Sequence, residues 1–365
     1  MIATPAPQET GAVRLPPDMR PRGALCIRLG PVSARVDLRA VAISLGAGAL
    51  AFLVLCWSVS VGDYPIALSE VIRTLAGQGV DPERLVIHEL RLPRATLAAS
   101  VGAAFGLSGA IFQRITGNPL ASPDLIGVNS GAAASAVAVI VVFAGSPTQV
   151  AAGSLVGAGL AALAVYLLAW KAGVSTYRLI LIGIAVGAFM SAVTSWLLTK
   201  ADIYDAARAA LWLAGDVSGA GWDDVQPLWT ALAVLTPAAL VLARQLRMLE
   251  LGDDAARALG ARVERVRGLL LLVGVGLAAV AVSASGPIVF VALAAPHIAR
   301  RLTGGRTVGL LPAAVLGALL LGLSDLAAKR IIAPSELPVG IVTAILGAPY
   351  LLVLLALSNR IGRGA

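Results

Sequence analysis

Val41–Ser60 reads VAISLGAGALAFLVLCWSVS, twenty residues without one charged side chain. A helix of that length crosses the ~30 Å of hydrocarbon in a bilayer. The pattern recurs along the chain. Ten apolar stretches of spanning length fall at 41–60, 95–113, 125–144, 149–170, 179–199, 225–243, 267–284, 287–302, 308–327 and 338–357. Hydrophobic residues make up 58% and charged residues 13% of 365, and mean hydropathy is +0.88. A water-facing fold of this size has too little polar surface to cover so much apolar material. Lipid offers backbone groups no partners, so the spans are expected to be helices. The expectation is an all-α polytopic membrane protein with about ten transmembrane helices. The eighth stretch is short, begins at Ser285-Gly286-Pro287 and contains Pro296. Pro287 suits a first helical position and Pro296 a break.

Charge orients the spans. With the N-terminus inside, eight of the 28 Lys and Arg fall outside: Arg73, Arg84, Arg91, Arg94, Lys200, Arg208, Lys329 and Arg330. The other twenty fall inside, which places both termini in the cytoplasm. The net charge of +8 follows from this topology and does not point to nucleic acid. Residues 1–39, rich in Pro and Arg, read as a disordered cytoplasmic tail. Residues 40–358 read as the membrane domain and 359–365 as a short cytoplasmic tail. Cys26 lies in the tail and Cys56 within the first span, so neither a disulfide nor a metal cluster is expected.

Several chemistries lack their residues. No G-x-x-x-x-G-K-[ST] occurs, and Lys171, Lys200 and Lys329 are the only lysines. The chain therefore has no phosphate loop with which to bind ATP. His88 and His297 are far apart, no H-E-x-x-H or Gly-x-Ser-x-Gly occurs, and no catalytic residue is assigned. Asp325 is the main acid within a span. It is a functional candidate by its position, or a partner for Lys329 one turn later. The shortage of other buried charges argues against an ion-coupled secondary transporter, which stands as the alternative of a different class. Gly102 and Gly106, Gly127 and Gly131, Gly153 and Gly157, and Gly183 and Gly187 are each one helical turn apart, a spacing that lets helices approach closely.

The longest basic inner loop, about 245–266, holds Leu249-Glu250-Leu251-Gly252-Asp253-Asp254-Ala255-Ala256-Arg257-Ala258-Leu259-Gly260. Asp253 and Asp254 suit a helix start and Gly260 its end. Arg257 can reach back to Asp253. Leu251, Ala255 and Leu259 share a face, with Ala258 beside it. The segment is too short and polar to span. It reads equally as a shaped cytoplasmic knob or as an amphipathic linker on the headgroups.

That loop resembles the coupling loop of permease subunits in type II ABC importers, the FecCD-like family, which take up ferric siderophores, haem or vitamin B12. Further stretches match in the family's order over about residues 40–357: Arg91-Leu92-Pro93-Arg94 running into Val101–Ala110, Gly117–Gly127, Gly286–Leu293 with Pro296–Arg300, and Glu336–Thr343 with Gly347-Ala348-Pro349. Gly62–Ile66 and Leu249–Gly260 look closest to ferric enterobactin-type permeases. The resemblance implies the permease fold of a type II ABC importer in the inner membrane. It implies separate ABC ATPase subunits that carry ATP and Mg, with no cofactor on this chain. A second permease subunit, identical or paralogous, and an extracytoplasmic substrate-binding protein complete the set. Residues Leu251, Gly252, Asp253, Asp254, Ala255, Arg257, Ala258, Leu259 and Gly260 then couple to the ATPase. Arg91, Arg94 and Lys329 match cations that dock the binding protein. Lysine departs from the family's arginine at that third place and lacks a bidentate fork. Asn118 and Leu120 match the cytoplasmic gate, with Thr176 and Tyr177 at its other side, where Tyr177 is larger than the family's small residue. Asn118-Pro119 also suits a plain turn. Ser191, Thr194 and Ser195 are expected to line the pathway or to bond neighbouring helices. An iron–siderophore complex is the expected cargo, with vitamin B12 or haem as alternatives on the same scaffold.

Overall fold

The computed structural model describes residues 24–29, 32–62, 64, 66–75, 77, 81–171, 176–304 and 309–361. Two strands, β1 (Ala24–Leu29) and β2 (Val32–Asp37), pair antiparallel. The stretch expected to be a disordered tail thus contains a hairpin directly before the first helix. The helices are α1 (Leu38–Ser60), α2 (Leu68–Leu75), α3 (Asp81–Leu85), α4 (Leu92–Thr116), α5 (Val128–Phe143), α6 (Pro147–Ala169), α7 (Thr176–Lys200) and α8 (Ile203–Ala214). They continue with α9 (Trp222–Leu249), α10 (Asp253–Ala258), α11 (Val263–Ser285), α12 (Val291–Thr303), α13 (Leu310–Ala328) and α14 (Val339–Ile361). A π-helical turn, Val86–Arg91, leads into α4. A 3₁₀ turn, Pro123–Ile126, precedes α5.

Each of the ten apolar stretches is helical, but they are not alike. Seven helices, α4 with its lead-in among them, are long and apolar enough to cross a membrane. Val128–Phe143 and Val339–Leu354 are shorter apolar helices. The eighth stretch forms α12, only 13 residues long with Arg300 and Arg301 in its last turn. It starts at Val291, four residues after Pro287, because Phe290 takes a left-handed backbone conformation that blocks an earlier start.

At the centre, α4 packs on α13, α11 and α12. A Cβ at Gly102 would collide with the Gly317 carbonyl, and one at Gly106 with that of Ala313. Small residues therefore bring α4 and α13 into backbone contact. Gly131 and Gly157 do the same for α5 and α6. By contrast α1 and α7 leave most of their apolar surface uncovered. Phe52, Leu53 and Trp57 on α1 and Ile184, Phe189 and Trp196 on α7 are exposed, as suits faces turned to lipid or to another subunit.

Candidate functional site

The α9–α10–α11 segment forms a short exposed helix between two spanning ones. Gly252 opens α10 at φ +96° and Gly260 follows it at φ +84°. Only glycine takes such angles without strain, so the pair allows the chain to turn sharply into and out of the helix. Ala256 is buried while Leu251, Ala255, Ala258 and Leu259 are exposed. One small residue seats the helix, and a small apolar patch points away from it. The amino end is fastened by Asp253, which accepts from Arg267 Nη2 of α11 at 2.6 Å. Arg257 approaches Asp253 at 3.9 Å, as its spacing suggests, but lies nearer to Asp254 at 3.1 Å. Just before α10, Glu250 accepts from Arg114 Nε at 2.5 Å. Arg114 stands in the last turn of α4. The segment is thus tied to the helix that leads to Asn118.

The loop after α4 rests on α7. Leu120 N–H donates to Asn118 Oδ1 at 2.9 Å, so Asn118 builds the turn. In the following 3₁₀ turn, a Cβ on Gly183 of α7 would collide with the Leu125 carbonyl. Thr176 begins α7, though its side chain lies outside the described residues, and Tyr177 beside it is 75% exposed. Asp124 lies in the 3₁₀ turn, where its Oδ2 accepts from the Ser122 hydroxyl at 3.2 Å. Burial pushes its carboxyl up to about 6, opposed by the Ser122 hydroxyl that donates to it.

Arg94 and Lys329, the expected docking cations, sit at the other end of α4 and α13 with their side chains engaged between helices. Both are buried. Arg94 donates from Nε to Asp325 at 2.9 Å and pairs with Glu336 at 2.5 Å. Lys329 Nζ reaches Asp325 at 3.0 Å and the Ser58 hydroxyl at 2.7 Å. Asp325 is 1% exposed, so two cations neutralise one buried acid. A buried acid without such partners would be strongly disfavoured. The pairing of Asp325 with Lys329 one turn on is present, and Arg94 adds a partner from another helix. Arg91 is also turned inward: it donates to the carbonyls of Val59, Ser60 and Tyr64 and ties α1 to α4. These three cations hold helices together at this end.

A groove of about 620 Å³ runs between α5, α7, α8 and α14. Ser191, Thr194 and Ser195 line it, joined by Asn129 and Ser130 of α5. Thr194 donates back to the Met190 carbonyl. Ser191 and Ser195 remain exposed to the groove. None of its lining residues is charged. At one end three backbones meet. Gly340 N–H donates to the Gly215 carbonyl at 2.9 Å, and Asp216 N–H to that of Ser285 at 2.8 Å. A Cβ at Gly215, Gly286 or Gly340 would collide with the carbonyl of Pro287, Trp212 or Ala214 respectively. The first turn of α14 is therefore locked to the end of α8 and the end of α11.

Glu250, Arg267 and Arg114 escaped the sequence as a network because their partners lie up to 136 positions away. Asp124 escaped because its neighbours are apolar and its burial is set by the fold. Arg114, a cation in the last turn of a largely apolar helix, was the available signal.

The chain matches the FecCD transport family over residues 50–357. It is 45% identical over 304 residues to the ferric enterobactin transport system permease protein FepG of Escherichia coli (strain K12), covering 83% of this chain and 92% of that one. It is 41% identical over 311 residues to the iron(3+)-hydroxamate import system permease protein FhuG of Bacillus subtilis (strain 168), covering 83% and 93%. A solved structure assigned to the metal-chelate type of ABC transporter, in an inward-facing conformation, superposes with a TM-score of 0.78 at 29% identity, covering 87% of this chain and 99% of that one.

Proposed function

We infer the function from membership: this chain belongs to the FecCD transport family. It is the multi-pass permease subunit of an ABC importer, and a separate ATPase subunit hydrolyses ATP. We propose that the cargo is an iron–siderophore complex and that the membrane is the inner membrane, with α10 and both termini in the cytoplasm. The observation that carries the cargo is the run of ferric substrates in the names of relatives sharing four-fifths of the chain. A largely apolar groove with four hydroxyls and one amide, none of them charged, suits such cargo. It offers weak, replaceable hydrogen bonds to a large polar chelate and no fixed ion to trap it.

The mechanism follows from the ties described. The exposed patch of Leu251, Ala255, Ala258 and Leu259 fits into a groove of the ATPase. When ATP closes the ATPase pair, α10 moves. Asp253–Arg267 passes that motion to α11, and Glu250–Arg114 passes it to α4 and the Asn118–Leu120 loop. That loop bears on Gly183 of α7, which lines the pathway. A second permease, identical or paralogous, covers the exposed face of α7 and α14, and the groove becomes half of a shared passage. A binding protein delivers cargo at the end opposite α10. Arg94 and Lys329 are engaged in ion pairs within the chain. In this reading its docking cations are Arg330 and Arg84, both exposed.

The test is co-expression with the ATPase and binding protein encoded beside it, followed by reconstitution. ATP-dependent accumulation of radiolabelled ferric siderophore in proteoliposomes is the expected result. Uptake that proceeds without ATP and collapses with an ionophore would overturn the reading in favour of ion coupling. ATP-driven uptake of vitamin B12 or haem but of no ferric siderophore would overturn the cargo alone.

A further inference from the structure

The arginines around α10 divide into two sets. Arg114 and Arg267, which are buried, and Arg257, which is exposed, engage Glu250, Asp253, Asp254 and Glu264 in ion pairs. Every acid of residues 250–264 is thereby used. Arg244 and Arg247 in the last turns of α9, and Arg262 and Arg265 at the start of α11, are exposed. Their guanidinium groups form no ion pair among the described residues. Since α9 and α11 pack against each other and α10 joins them, all four lie at one end of one helix pair.

Their faces identify what they meet. Val241 and Leu240 are exposed apolar residues on α9. Arg244 follows them by three and four positions, on the same face of the helix. Leu269 and Leu272 are exposed on α11. Arg265 precedes them by four and seven positions, again on the same face. On each helix an exposed apolar pair thus lies in line with an arginine that makes no ion pair among the described residues. The end of a spanning helix is the depth at which phosphates lie, and a guanidinium binds phosphate through a planar, two-pronged contact. A surface made for a protein groove would not continue into acyl-chain-facing leucines.

We propose that Arg244, Arg247, Arg262 and Arg265 form a site for the phosphate headgroup of an anionic phospholipid, with its acyl chains along α9 and α11, next to α10. The site requires only that these two helices span the bilayer, so it stands apart from the cargo assignment.

The full chain is relipidated with equimolar phosphatidylglycerol and phosphatidylcholine, gel-filtered in detergent, and its retained lipid counted by mass spectrometry. The wild type is expected to retain the anionic lipid in about fivefold excess. R244Q/R247Q/R262Q/R265Q is expected to retain the two equally. R73Q/R84Q/R301Q/R330Q, which removes four other exposed arginines, keeps the wild-type ratio. If the first variant does not fold, the doubles R244Q/R247Q and R262Q/R265Q are each expected to lose a large part of the excess. An unchanged ratio in folded variants overturns the proposal, as does an equal loss in the control. Complete displacement by inorganic phosphate overturns the lipid and leaves a phosphate site. A variant that keeps its lipid but no longer binds the ATPase subunit assigns the surface to protein and overturns it too.

Discussion

At one end of α4, Arg94, Lys329 and Asp325 face one another between helices with little of their charge reaching water, while Glu336, which also pairs with Arg94, stays exposed. At the other end, Arg114, Arg257 and Arg267 hold their acids on one side only, and a small apolar patch is left standing outward. Similar residue types serve opposite purposes. Charge that is enclosed on all sides fixes where helices sit. Charge that is enclosed on one side holds a movable piece in a defined pose while leaving it available. The first arrangement belongs to the frame and the second to the coupling.

Mutation separates the two. Asp325→Ala leaves Lys329 enclosed without an acid and Arg94 with only the exposed Glu336, and is expected to destabilise by about 3–5 kcal/mol. This is read as a large loss of melting temperature and of folded protein in detergent. A variant that melts like the wild type breaks the contrast. Arg114→Gln removes a less enclosed pair and is expected to cost about 1–3 kcal/mol. Its larger effect is on uptake per ATP hydrolysed, which should fall while hydrolysis continues. Equal loss of both activities would return Arg114 to the frame.

Asp124 sharpens the comparison through pH. Its carboxyl is raised from 3.8 to about 6 in the folded protein. The neutral form is therefore favoured by folding, and the contribution is complete below about pH 4. It is lost as pH rises through 6. Thermal stability should fall between about pH 4 and 6, and Asp124→Asn should flatten that slope. A slope that survives the substitution assigns it to another group. The smallest effect on stability is expected from Ala258→Trp, within about 0.5 kcal/mol because the site is exposed. Yet uptake should be nearly abolished, since the bulky ring spoils the patch. A folded Ala258→Trp protein that transports normally would remove α10 from the coupling.

Much of the frame was legible. The apolar run of 41–60 became α1, and the glycine spacing at 102 and 106 became the contact with α13, because both depend on local composition and helical period. The α10 helix was legible from its glycine brackets and leading acids. The amphipathic α8 was not: Asp205 and Arg208 interrupt its apolar run, so it is no spanning stretch, and it packs on α5. The burial of Arg94 was not legible for a related reason. A cation near the end of a span reads as facing water until its acid is known. Arg94's acid lies 231 positions away.

The junction of Gly215, Gly286 and Gly340 has a geometric consequence. A rod pinned at one end turns small rotations into large displacements at the other. The 23 residues of α14 extend ~35 Å at the usual helical rise. A swing of ~5° about the pinned turn then carries the free end ~3 Å, roughly the width of a water molecule, by simple trigonometry on that length. The passage beside it can change bore at its α10 end while the glycine knot at the opposite end stays in register.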